Sequence, residues 1–142
     1  MTYDPNNIFA KILRGEIPCH KIYEDEQTLA FMDVMPQVDG HCLVILKVGS
    51  RNLLDAEPST LASLMATVQK VARAAKSAFK ADGVQVRQYN EEAAGQTVFH
   101  LHFHILPMSA GQSLRPHTGK MADHAVLAEH AGMITSLLPA SS

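Results

Sequence analysis

Between positions 99 and 106 the chain reads Phe-His-Leu-His-Phe-His-Ile-Leu. Imidazole and apolar side chains alternate with a period of two, which suits a strand and no helix, because successive strand side chains point to opposite faces. His100, His102 and His104 then share one face, and Phe99, Leu101, Phe103 and Ile105 share the other. A slip of one residue would bury the imidazoles and expose the apolar side chains, so the register of this strand is strongly fixed. The chain must therefore build a sheet with one covered face and one histidine-bearing face.

The covering element is legible too. Proline at position 58 opens a helical pattern. Leu61, Leu64, Met65, Val68, Val71, Ala72, Ala75 and Phe79 form one stripe at helical period, and Lys70, Arg73, Lys76 and Lys80 fall away from it. Asp82-Gly83 is the expected stop. Upstream, Asn6–Arg14 reads as a short helix capped by Asn7 and ended by Gly15. His20–Tyr23, Thr28–Asp33, Cys42–Lys47, Val84–Tyr89 and Thr97–Leu106 read as strands. The third is apolar enough to be buried on both faces. Pro107–Lys120 reads as a loop and Ala122–Leu138 as a C-terminal helix. This order predicts an α+β domain spanning 1–142: a mostly antiparallel sheet with the long helix on one face and shorter helices at the two ends.

Composition narrows the function classes. With 142 residues, 46% hydrophobic and 18% charged, the chain can fold around a substantial core. A formal net charge of −2 gives no basic surplus for a nucleic-acid binder. The longest apolar run, Cys42–Leu46, is too short to span a membrane, and the start of the chain lacks a secretory pattern. The two cysteines, Cys19 and Cys42, have no metal-like or redox spacing. The expectation is a cytoplasmic protein without membrane or nucleic-acid partners.

Three imidazoles in a row suit two kinds of chemistry. One is a metal site, in which two histidines at i and i+2 hold zinc with a third ligand from His41, His117 or Asp33. The other is phosphoryl transfer. Imidazole is mostly neutral at pH 7 and already nucleophilic, needing only its far nitrogen oriented by a hydrogen bond to a carbonyl. Flanking histidines can then serve phosphate oxygens and the leaving group. Just upstream, Gly95-Gln96-Thr97 offers backbone N–H groups, an amide and a hydroxyl that suit phosphate. That proximity favours the second reading.

His-Leu-His-Phe-His-Ile-Leu at 100–106 resembles the histidine-triad signature. Ile8-Phe9-Ala10-Lys11-Ile12, Gly15-Glu16-Ile17-Pro18, Ala30-Phe31-Met32-Asp33, Gly40-His41-Cys42-Leu43-Val44-Ile45 and Gly95-Gln96-Thr97-Val98-Phe99-His100 are similar to the Hint branch of that family, in the same order. The resemblance implies a five-stranded antiparallel sheet joined to a second one across a homodimer. It also implies a purine-nucleotide (AMP- or GMP-type) pocket and hydrolysis of nucleoside phosphoramidates at the α-phosphorus, with no cofactor. By the same resemblance His102 is the nucleophile and forms a nucleotidyl-histidine, and His104 contacts the phosphate and the departing group. His100, with His41 behind it, orients the active ring. Gln96 and Thr97 hold the α-phosphate, with Asn90 standing in for a phosphate-contacting asparagine. Asp33 accepts from the ribose hydroxyls, and Ile8, Phe9, Phe31 and Val34 form the slot for the base. Dinucleoside polyphosphate hydrolysis, a regulatory nucleotide-binding module with weak turnover, and a histidine-ligated metalloprotein are the alternatives.

The chain also departs from the family pattern. Asn7 and Ala10 stand where many bacterial members carry zinc-binding cysteines, so no such zinc is expected. Met108 replaces a common arginine. The family likeness covers about 1–107. The extension 108–142 carries His117, His124 and His130, expected at the surface, and could shape substrate choice if it crosses a dimer.

Overall fold

Asn7 starts the first helix by accepting a hydrogen bond from the Ala10 N–H at 2.9 Å through Oδ1, which satisfies one of the amides left over at a helix start. That helix, α1, spans Ile8–Leu13. The computed structural model describes residues 2–116 and 120–139, so His117 lies outside the described residues.

The five strands are β1 (Lys21–Glu24), β2 (Thr28–Met32), β3 (Cys42–Leu46), β4 (Gly83–Arg87) and β5 (His102–Met108). They form one antiparallel sheet in the order β1-β2-β3-β5-β4. Its central strands are buried on both faces, as the unbroken apolar run of β3 requires. On one face Ala30, Met32, Cys42, Val44 and Ile105 pack beneath α2 (Pro58–Ala78). Leu29, Phe31, Leu43 and Ile45 form a second cluster on the other face, closed by Phe9 of α1.

Helix α2 buries Leu64, Val68, Val71 and Ala75 as expected, and adds Thr67 and Ala74 on one flank. The buried Thr67 hydroxyl is 2.7 Å from that of Thr28. Met65 lies on the opposite flank, beyond the sheet, and is 45% exposed. The helix ends at Ala78, with Lys80 at φ 49, and Gly83 begins β4 instead of stopping the helix. The C-terminal helix α3 (His124–Thr135) is capped by Asp123 and packs Leu127, Ala131 and Ile134 into the core shared with α2 and β1. No helix among the described residues is long and apolar enough to cross a membrane.

One correction bears on the site. β5 begins at His102, not Thr97, because residues 97–101 bend away from the ladder. The Leu101 N–H goes to the Ser50 carbonyl at 2.8 Å, so the segment is tied to the loop after β3. His100 therefore lies outside the strand. Phe99 is half-buried beneath the Arg51 guanidinium, 4.2 Å from its ring centre, instead of packing under α2. Leu101, Phe103 and Ile105 do pack with the α2 side. At its far end β5 continues through Pro107, flanked there by β4 alone, a position that tolerates a missing N–H.

Candidate active site

The register decides which side chains meet. β3 and β5 pair Leu43 with His104 and Ile45 with His102, so both histidines rise from the face that carries the second apolar cluster. Asp33 follows β2 with the parity of Leu29 and Phe31. His41 precedes β3 with the parity of Leu43 and Ile45. All four groups thus converge at one end of the sheet, under α1. In front of them opens a cleft of about 780 Å³, lined in part by Ile8, Phe9, Phe31, Asp33, Val34 and Thr97, with His102 and His104 in its wall. The Phe9 ring stands edge-on to His102 at 4.9 Å and to Phe31 at 5.5 Å.

Hydrogen-bond partners assign the ring protons. His102 Nδ1 lies 2.6 Å from the His100 carbonyl, which can only accept. Nδ1 therefore carries a proton, and in the neutral ring Nε2 holds the lone pair that a nucleophile needs. His41 Nδ1 accepts from the Gln37 N–H at 3.1 Å, so the His41 proton sits on Nε2. That Nε2 is 3.0 Å from His104 Nδ1 and 3.4 Å from Asp33 Oδ2. His104 accepts at Nδ1 and keeps its own proton on Nε2, a donor beside the His102 lone pair; the two rings are 5.0 Å apart. Asp33 also accepts from the Met35 N–H at 2.8 Å, so it fixes the turn after β2 as well as facing the cleft.

The expected pairing of His41 with His100 is corrected by these distances: His41 backs His104. His100 is fully buried one step behind, with Nε2 donating to the Leu46 carbonyl at 2.7 Å and Nδ1 accepting from the Tyr3 hydroxyl at 2.7 Å. Burial lowers its pKa below the ordinary imidazole value, against the opposing effect of the Leu46 hydrogen bond. Its link to His102 runs through its backbone carbonyl.

Two of the expected phosphate ligands are engaged elsewhere. The Gln96 carboxamide is buried, donating to the Arg51 and Val98 carbonyls and accepting from Asn52 Nδ2 and the Glu91 N–H. Asn90 exchanges amide hydrogen bonds with Gln88 and accepts from the Leu53 N–H. Neither side chain lines the cleft; both shape the loop that leads to it. Glu91 holds that loop at φ 77, gripped by Arg51 at 2.8 and 3.0 Å. The Arg51 guanidinium draws its carboxyl below the usual carboxylate range.

Other neighbours of the site have weak sequence signals. Tyr89, adjacent to Asn90, sets its ring edge-on to His104 at 5.8 Å. His124 from the extension meets His20 at 3.0 Å, and both line the cleft with Met121. His130, expected at the surface, is half-buried with Phe79 edge-on to it at 5.0 Å. Among the described residues, Asp33, His41 and His104 bring one potential metal-ligand atom each within 4.8 Å of one another. The 3.0 Å between the two nitrogens is hydrogen-bond length.

Comparison with known proteins agrees with this geometry. Residues 14–111 match the family model described as HIT domain. The fold is similar to a Hit-like protein involved in cell-cycle regulation from Bartonella henselae, with a TM-score of 0.91, 52% identity, and coverage of 96% of this chain and 100% of that one. It is also similar to a hypothetical histidine triad nucleotide-binding protein from Sulfolobus tokodaii strain7, with a TM-score of 0.84 at 34% identity over 91% of this chain and 89% of that one. Among curated relatives, Adenylylsulfatase HINT3 of Arabidopsis thaliana is 38% identical over 120 residues, 80% of this chain and 61% of that protein.

Proposed function

The chain belongs to the HIT family, and on that premise we propose that it is a purine nucleoside phosphoramidate hydrolase acting at the α-phosphorus. The family includes nucleotide-binding proteins and a hydrolase. The observation that carries the finer reading is the His102 ring. Its proton is held on Nδ1 by a carbonyl and its lone pair sits on Nε2, beside a cleft whose walls are largely apolar.

In this reading the base lies in the slot of Ile8, Phe9, Phe31 and Val34, and the Asp33 carboxylate accepts from the ribose hydroxyls. Thr97 and the backbone of the loop before β5 face the α-phosphate. His102 Nε2 attacks phosphorus, a new phosphorus–nitrogen bond forms, and the bond to the leaving amine breaks. His104 Nε2–H bonds a phosphoryl oxygen, steadied by His41 and Asp33 behind it. Water then breaks the bond to His102 and releases the nucleoside monophosphate. Protons are taken from and returned to solvent, so the net reaction is phosphoramidate plus water to monophosphate plus amine. Gln96 and Asn90 act here as supports of the phosphate-facing loop.

We also propose a homodimer formed through β4. That strand ends the sheet order, and Val86 on it is 44% exposed, an apolar edge suited to pairing with a second copy. Light scattering at micromolar concentration should give twice the mass of one chain.

The enzymatic reading is tested with His102→Ala and an adenosine 5′-phosphoramidate. Turnover should fall by at least ~10³-fold, the scale of losing a nucleophile, while AMP binding changes only a few-fold. Rapid quenching of the wild type should leave an adenylyl group on the peptide containing His102. A variant with a tenth or more of the wild-type rate would overturn the assignment. AMP binding by a wild type that hydrolyses no phosphoramidate would favour a binding module.

A further inference from the structure

We propose that Tyr3 is a positioning residue for the catalytic ring, acting through His100; this rests on the reading of His102 as the reacting group. Four contacts connect Tyr3 to the ring of His102. Asn7 Nδ2 donates to the Tyr3 hydroxyl oxygen at 3.0 Å. The Tyr3 proton is thereby turned toward His100 Nδ1, 2.7 Å away. His100 Nε2 donates to the Leu46 carbonyl at 2.7 Å. The His100 carbonyl accepts from His102 Nδ1 at 2.6 Å. Both nitrogens of a fully buried imidazole are thus specified, one by β3 and one by the N-terminal segment.

The position of the tyrosine ring is itself built in. A Cβ on Gly49 would lie 2.6 Å from the Tyr3 ring, so the ring occupies space that only a glycine at 49 leaves open. It stands edge-on to His100 with centres 5.6 Å apart. Asn7 serves both ends of this arrangement, capping α1 through Oδ1 and orienting the tyrosine through Nδ2. The same helix carries Phe9 against His102.

The physical need is clear from the bend at 97–101. His100 is not held by ladder hydrogen bonds, so its peptide to Leu101 rests on the Leu101 N–H bond to the Ser50 carbonyl, and its ring on Leu46 and Tyr3. Removing the Tyr3 hydroxyl leaves a buried imidazole nitrogen without its donor. The ring, held then through Nε2 on the Leu46 carbonyl alone, can turn about that bond, and the carbonyl that fixes the His102 proton moves with it.

The test uses the full chain with Tyr3→Phe, which keeps the ring against Gly49 and deletes only the hydroxyl. Long-range proton–nitrogen spectra of the substrate-free protein report the tautomers of His100 and His102. The wild type should show His102 protonated at Nδ1 alone, and the variant a mixture. With an adenosine 5′-phosphoramidate, kcat should drop about tenfold and KM stay within about twofold. An unchanged His102 tautomer in the variant overturns the proposal, whether kcat is unchanged or falls only in step with the folded fraction. If the wild type hydrolyses no phosphoramidate, the functional reading fails, and the tautomer spectra alone decide whether Tyr3 fixes the ring.

Discussion

Gly40→Ala tests the packing that delivers His41 to the site. Gly40 has φ +89, a conformation that an alanine adopts only at a cost of about 1 kcal/mol or more. The added Cβ would also lie 2.7 Å from two carbons of the Phe79 ring and 2.9 Å from Pro107 Cγ. Pro107 is buried in β5 and the half-buried Phe79 at the end of α2 packs edge-on against His130, so the added methyl must push one of them aside. Overpacking of this kind costs roughly 1–3 kcal/mol. The sum is about 2–4 kcal/mol, which for a chain of this size lowers Tm by roughly 5–15 °C. Calorimetry at matched protein concentration reads it directly, since self-association would otherwise shift the midpoint. Because Gly40 adjoins His41, the surviving folded protein should also turn over more slowly. An alanine variant melting within about 2 °C of the wild type would refute the steric reasoning.

Gly49→Ala should displace the Tyr3 ring while leaving the tyrosine in the chain, lower Tm, and reproduce in the remaining folded protein the kcat loss of Tyr3→Phe; unchanged turnover would contradict the Tyr3 link. Acidification below about pH 6.5 should erode stability, because the buried His100 holds its pKa below that of the unfolded chain and only the unfolded state takes up the proton in that window. Urea unfolding at pH 7.5, 6.5 and 5.5 should therefore show a steeper decline for the wild type than for His100→Gln, and parallel slopes would count against it. Arg51→Ala should let the Glu91 carboxyl return upward toward the ordinary range, seen as a shifted side-chain titration by NMR. A Glu91 titration that does not move would mean that Arg51 is not its main partner.

Local pattern carried much of this protein. The alternation at 102–105, the apolar run of β3, the long helix and the Asn7 cap were all legible, because each depends on residues within a few positions of one another. The parity of Asp33 with Phe31 and of His41 with Leu43 was also present in the chain, and it places both on the histidine face. Recognising Ile8, Phe9, Phe31 and Val34 as one slot needed the family resemblance, since the same residues suit an ordinary core.

Tertiary structure decided the rest. His41 and His104 are 63 positions apart, and Tyr3 and His100 are 97 apart. Their meetings follow from the strand order β1-β2-β3-β5-β4 and from the path of the N-terminal segment, neither of which periodicity encodes. The bend before His102 arises because the Leu101 N–H finds the Ser50 carbonyl, and the Gln96 amide turns inward because Arg51, Asn52 and Glu91 converge on it. Alternation set which face each β5 side chain takes; long-range hydrogen bonding set where the alternation stops and which imidazole nitrogen keeps its proton.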